Sequence, residues 1–171
     1  GKNIPLVDLE SLLFIINPEL NEKFKAPQLR KTQQQITCSA KILVAEDSNL
    51  MRKQIVKNLK ASGFENIEDF ANGEAALHAI KNYIELSKKE IRPINDYFKL
   101  IITDIEMPQM DGLTLCKKIK KELKIDYIPV IIYSSLITEE MARKCKEVGA
   151  NLQVSKPNMG KLIEAVKALI I

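Results

Sequence analysis

The sequence predicts an α/β fold: a doubly wound, five-stranded parallel sheet with helices on both faces, plus an extra helical segment at the N-terminus. Three observations predict it. Short strand-like runs, most of them apolar and β-branched, recur at 41–45, 66–70, 100–103, 129–133 and 152–154, and continuous apolar runs of that length read as buried strands. Stretches of helical period separate them, opened by capping residues and closed by glycine or a polar loop. Strict alternation of strand and helix demands a parallel sheet, and right-handed crossovers put helices on both of its faces.

The elements follow in order. Lys41-Ile42-Leu43-Val44-Ala45 reads as the first strand. Ser48 or Asp47 caps a helix from Asn49 to about Ser62, which Gly63 stops. A short strand ends at Phe70, and Asn72-Gly73 turns into a helix running to about Leu86. The polar stretch 87–97, with Pro93, reads as a loop. Leu100 to Thr103 is the third strand, and a helix follows from Gly112 to Leu123 with Leu113, Leu115, Cys116 and Ile119 on one face. Pro129 opens the fourth strand, Thr138 caps a helix to Val148, and Asn158 caps the last helix after a short fifth strand. Ahead of all this, residues 1–36 read as the tail of a preceding domain plus a connector, with 37–171 as the main domain. Asp8 is a candidate cap, and the residues after it are apolar nearly all round the helix, which suits an element buried inside something larger. Asn17-Pro18 ends that helix, and Lys31-Thr32-Gln33-Gln34-Gln35 is a polar linker.

Composition excludes several classes. The 171 residues are 46% hydrophobic and 28% charged, an ordinary globular balance. The net charge of +4 is spread out and aromatics are only 5%, so no nucleic-acid platform is expected. Cys38, Cys116 and Cys145 are far apart with no CxxC spacing, which argues against zinc or a disulfide framework and for reduced thiols. No apolar run approaches the ~20 residues of a membrane span, and no signal peptide opens the chain. A chain that begins at Gly1 without Met is expected to be a fragment.

In a parallel sheet every strand-to-helix loop leaves from the same edge, where ligands bind. That edge collects Glu46-Asp47, Asp104-Ile105-Glu106, Ser134-Ser135 and Lys156-Pro157. Each group has a plain reading by itself: a helix cap, a dipole complement, a solvated lysine. Together they point to chemistry. Three crowded carboxylates raise one another's pKa, and a hard cation such as Mg2+ relieves this while sharing its coordination with a phosphoryl group. Glu46, Asp47 and Asp104 therefore suggest a Mg2+ pocket. A carboxylate beside it can attack phosphorus to form an acyl phosphate, with Lys156 as a point charge on the phosphoryl oxygens and Ser134 as a hydroxyl donor. His78, the only histidine, sits mid-helix away from this edge. The five methionines read as packing residues.

Ala45-Glu46-Asp47-Ser48, Thr103-Asp104-Ile105-Glu106-Met107-Pro108 with Met110-Asp111-Gly112, Pro129-Val130-Ile131-Ile132-Tyr133-Ser134-Ser135 and Lys156-Pro157 resemble, in order and spacing, the receiver domain of bacterial response regulators. The resemblance covers about residues 41–171. It implies a flavodoxin-like strand order 2-1-3-4-5 and a domain that catalyses only its own phosphorylation and dephosphorylation. It implies Asp104 as phospho-acceptor, Mg2+ on Glu46, Asp47, Asp104 and the Glu106 backbone carbonyl, Ser134 as switch hydroxyl, Lys156 as phosphoryl-binding lysine, and a cis Lys156–Pro157 bond. By the same resemblance, the Glu106 side chain and Leu136 flank the water approach and tune the phosphoryl lifetime. The family often carries an aromatic three residues before the lysine; here Gln153 stands there, which puts transmission by a rotating ring in doubt.

Leu6-Val7-Asp8-Leu9-Glu10-Ser11-Leu12-Leu13 resembles the C-terminal end of a CheW-like coupling domain. A CheW-like end followed by a receiver is the arrangement of CheV-type chemotaxis coupling proteins. The implied partners are a chemotaxis histidine kinase and the chemoreceptor array, in the cytoplasm and recruited to membrane receptors without insertion. The chain's end after the last receiver helix fits a chemotaxis protein better than a transcription factor. A stand-alone CheY-like receiver is a close variant. From another class, a Mg2+-dependent phosphatase or phosphotransferase also forms an aspartyl phosphate, but the haloacid-dehalogenase-type D-x-D-x-[TV] on a first strand is not matched by Asp104-Ile105-Glu106-Met107 on a third.

Overall fold

The computed structural model describes residues 39–135 and 138–170. The expected boundary at residue 36, the coupling-domain end and Leu136 lie outside the described residues.

Among these residues the strands are β1 (Ile42–Ala45), β2 (Ile67–Phe70), β3 (Leu100–Thr103), β4 (Val130–Ser134) and β5 (Leu152–Ser155). All neighbouring strands are parallel, in the order β2-β1-β3-β4-β5. The helices are α1 (Asn49–Ala61), α2 (Gly73–Glu90), α3 (Gly112–Lys117, continuing into a π-helical stretch Lys118–Glu122), α4 (Glu139–Glu147) and α5 (Met159–Ile170).

The sheet has two cores because the side chains of each strand alternate between its faces. Ile42 and Val44 of β1, with Leu100 and Ile102 of β3, face Ile55 and Leu59 of α1 and Leu162 and Val166 of α5. Leu43, Ala45 and Ile101 face Ala76 and Ile80 of α2, Leu115 and Ile119 of α3 and Cys145 of α4. Both faces are covered, so β1, β3 and β4 are buried throughout and apolar but for Thr103, Ser134 and the Tyr133 hydroxyl. β2, at the edge, carries Glu68 and Asp69 instead.

Caps set the helix starts at the site edge. Ser48, Asn72, Asp111 and Thr138 each accept a hydrogen bond from the amide three residues on. Two expectations need correcting. The stretch 87–97 is not all loop: α2 runs on to Glu90, capped by Ile91 in the left-handed region, and a short 3-10 turn (Ile94–Asp96) follows. The third helix is not regular to Leu123. Its end widens into a π turn in which the Leu123 amide donates to the Lys118 carbonyl at 2.8 Å. The turn holds a buried lysine, Lys120, whose ammonium donates to the carbonyls of Asp126 and Ile128 and to Asn151 Oδ1.

Candidate functional site

β1 delivers Glu46 and Asp47 at its C-terminal end, β3 delivers Asp104, β4 ends in Ser134, and Lys156 follows β5. The central strands lie side by side, so residues far apart in the chain converge. One carboxylate oxygen from each of Glu46, Asp47 and Asp104 lies within 4.8 Å of the other two. The Lys156 ammonium bridges two of them, 2.7 Å from Asp104 Oδ2 and 2.6 Å from Glu46 Oε2. The second contact is a close ion pair.

Glu46 and Asp104 are nearly inaccessible, at 1% and 6% exposure, whereas Asp47 is exposed. Burial is the main force raising the Glu46 pKa above the usual glutamate value, against the pull of Lys156; repulsion from Asp104 adds less. Crowding by Asp104 acts in the direction the sequence led us to expect, with burial the larger cause. Burial also opposes the charge on Lys156, but its bonds to Asp104 and Glu46 outweigh that and hold its pKa above the ordinary lysine value.

The Asp104 backbone is held rigidly. Its amide donates to the Ala45 carbonyl at 2.9 Å, its carbonyl accepts from Thr103 Oγ1 at 2.9 Å, and its Oδ1 accepts from the Ile105 amide at 2.7 Å. Gly112 is required here by close approach: a Cβ on it would meet the Asp104 carbonyl oxygen at 1.8 Å. The start of α3 is thereby pressed against the loop after β3.

Of the other expected residues, Ser134 is fully buried at the end of β4, and its carbonyl accepts from the Lys156 amide at 3.1 Å. The Glu106 side chain is exposed, two residues beyond Asp104. Gln153 sits half-buried in β5, and Lys156–Pro157 is cis. His78 is exposed in α2. Cys116 and Cys145 are free and buried.

Sequence reasoning missed two residues. Arg52 in α1 donates from Nη1 to the Glu46 carbonyl at 2.7 Å and to the Asp47 carbonyl at 3.3 Å, while its Nε pairs with Asp69 at 2.9 Å. It ties the acidic loop to β2. An arginine one turn after the cap was the available signal. The other is Tyr133, which looks like any apolar strand residue yet brings a buried hydroxyl on a ring that lies under the Lys156 ammonium.

The donor set suits a hard divalent cation: oxygen donors only, two of them buried and one exposed, close enough to share one ion. A family model described as the response regulator receiver domain matches residues 42–167. The chain belongs to that family. Its receiver is similar to those of chemotaxis proteins. Chemotaxis protein CheV3 of Helicobacter pylori is 31% identical over 169 residues, 99% of this chain and 51% of that protein. CheV1 of the same organism is 30% identical over 99% of this chain and 50% of its own length. A CheY homolog of Campylobacter jejuni is 30% identical over 68% of this chain and 81% of its own length. The chain thus spans about half the length of the CheV relatives it matches. Among solved structures, Vibrio cholerae CheY4 superposes with a TM-score of 0.61 at 25% identity, over 76% of this chain and 98% of that one. The receiver domain of the Arabidopsis thaliana histidine kinase CKI1, in complex with Mg2+ and BeF3-, reaches 0.70 at 22% identity, over 81% and 94%, which bears on the fold alone. Among the described residues no helix is long and apolar enough to cross a membrane.

Proposed function

We propose that this chain is a phosphorylatable switch of a chemotaxis two-component system, in which Asp104 takes a phosphoryl group from a histidine kinase. The observation that carries the reading is the Lys156 ammonium 2.7 Å from Asp104 Oδ2, inside a cluster of three carboxylates. An aspartate fixed by backbone bonds beside a partly buried cation is placed to act as a nucleophile toward phosphorus. The Asp104 oxygen forms the new O–P bond while the N–P bond of the donor phosphohistidine breaks. The donor imidazole nitrogen keeps the electron pair and takes a proton. Lys156 bears on the phosphoryl oxygens, where transition-state charge is spread, and Ser134 supplies a hydroxyl to the product.

Glu46, Asp47, Asp104 and the Glu106 carbonyl would hold Mg2+, which supplies charge neutralisation of the phosphoryl oxygens when bound. A phosphoryl group of roughly −2 charge on Asp104 then draws Lys156 and Ser134 inward and alters the partner-binding face. Its only chemistry on this reading is its own phosphorylation and dephosphorylation. The similarity to CheV proteins over nearly the whole chain supports a CheW-like coupling-domain end in residues 1–36, with a chemotaxis histidine kinase and the chemoreceptor array as partners. It also supports a cytoplasmic site of action at membrane receptor arrays.

Incubation with a small phosphodonor and Mg2+, followed by intact mass, tests this. A single base-labile phosphoryl adduct is expected in the wild type and none in Asp104→Asn. Turnover of an external phosphate ester without an adduct would point to an enzyme instead. Glu106→Asn is expected to change the rate of adduct loss, because that side chain is exposed two residues beyond Asp104; an unchanged half-life would remove it from the water path.

A further inference from the structure

Tyr133 is the last residue of the apolar run in β4 before Ser134, and the side chain is 0% exposed. It packs in the core formed with α1 and α5, next to Val44, Ile102 and Val154. Its hydroxyl is buried and has no hydrogen-bond partner among the described residues. A phenylalanine would fill that core without the desolvation of a hydroxyl, so the oxygen has a use that this arrangement does not display. Two further facts place that use. β4 runs beside β3, with Ile132 opposite Thr103, so Tyr133 lies alongside Asp104 under the acidic edge. The Lys156 ammonium sits over the Tyr133 ring, 5.8 Å from its centroid.

Lys156 is also the group with which a divalent cation competes for acceptors. Its ammonium holds Glu46 Oε2 and Asp104 Oδ2, two of the carboxylates that converge as a metal cluster. A cation ligated by Glu46 draws on the carboxylate that the ammonium now contacts. Two positive charges on one carboxylate repel each other, and a partly buried ammonium that loosens its hold on one acceptor gains from another. The hydroxyl of that ring, without a partner among the described residues, can accept such a bond, and the ring offers its π-face.

Resting on the cation site of the proposed function, we infer that Tyr133 is a positioning residue for Lys156: its hydroxyl and ring receive the ammonium when Glu46 turns to a divalent cation. Tyr133 touches neither phosphoryl group nor metal. It lowers the cost of releasing Glu46 and keeps Lys156 beside Asp104, where transfer needs it.

Calorimetric titration with MgCl2 of the wild type, Tyr133→Phe, Lys156→Met and the double variant tests this. Tyr133→Phe is expected to bind Mg2+ about tenfold more weakly than the wild type, the value of a lost hydrogen bond to a charged group. In the Lys156→Met background the same change is expected to have no effect, since no ammonium remains to be received. Equal affinities in wild type and Tyr133→Phe overturn the inference. So does an equal loss in both backgrounds, which would mean a general packing effect. A wild type that binds no Mg2+ overturns the cation reading and this inference with it; Mg2+ binding with the expected coupling but no phosphoryl adduct leaves the inference standing and fails only the phosphorylation reading. Tyrosine ring-carbon NMR of the unmutated chain is a second measurement that needs no variant at Tyr133 to fold. The Tyr133 resonance is expected to move on MgCl2 addition and to stay still in Lys156→Met; no movement in the wild type counts against the inference.

Discussion

Asp111 shows how one side chain near the site joins stability to pH. Its Oδ1 accepts from the Thr114 amide at 2.9 Å and its Oδ2 from the Thr114 hydroxyl at 2.6 Å, capping α3 where that helix presses on the Asp104 loop. Burial works against its charge, but the Thr114 hydroxyl and nearby amides outweigh that and hold its pKa below the ordinary aspartate value. A carboxyl with a depressed folded pKa stabilises the fold above its unfolded pKa, and the contribution disappears as pH falls through the folded value. Asp111→Ala is therefore expected to cost about 1 kcal/mol at neutral pH. The gap from wild type should close in acid below the aspartate range of about 3.9. Urea unfolding across that range measures it, and a gap independent of pH would show that the carboxylate charge is not what caps the helix. The cap itself was legible, because aspartate before glycine and an apolar helical pattern is a start signal. Its second bond, to the Thr114 hydroxyl, was not, since nothing in the spacing says which rotamer Thr114 takes.

The π-helical end of α3 is a feature of an element, not of a residue. Ile119 and Lys120 are both buried in it, a pairing that a regular amphipathic helix with a polar face does not require. Lys120 donates to Asp126 O at 2.7 Å, Ile128 O at 2.7 Å and Asn151 Oδ1 at 2.8 Å, and Asn151 Oδ1 also accepts from the Val130 amide at 2.9 Å. One ammonium thus fastens the helix end to the loop before β4 and to the loop before β5. Lys120→Met leaves those oxygens without their donor and is expected to destabilise the domain by about 2 kcal/mol. An unchanged urea midpoint would mean that relief of the desolvated charge, which holds the Lys120 pKa below the usual lysine value, cancels the three lost bonds. The sequence shows four lysines in Lys117-Lys118-Ile119-Lys120-Lys121, and nothing in their spacing singles one out for burial. Which one turns inward depends on carbonyls supplied from outside the helix.

At the scale of the whole molecule, a ligand that binds only the folded state stabilises it by mass action. The carboxylates converge only when β1 and β3 pair, so the unfolded chain has no comparable site. MgCl2 at tenfold its Kd is then expected to add about 1.4 kcal/mol to the unfolding free energy. The thermal midpoint should rise with MgCl2 in the wild type and much less in Asp47→Asn, whose exposed carboxylate is the cluster member not paired with Lys156. A midpoint insensitive to MgCl2 would count against the cation site. The sequence alone determined the parallel sheet, because strand-length apolar runs separated by capped helices permit little else, and it determined which loops meet at one edge. Only the tertiary structure decided that Lys156 bridges Glu46 and Asp104, that Arg52 ties down the acidic loop, and that a buried tyrosine hydroxyl finds no partner among the described residues. Periodicity records which face a side chain takes, whereas distances between loops depend on how paired strands and packed helices set their ends in space.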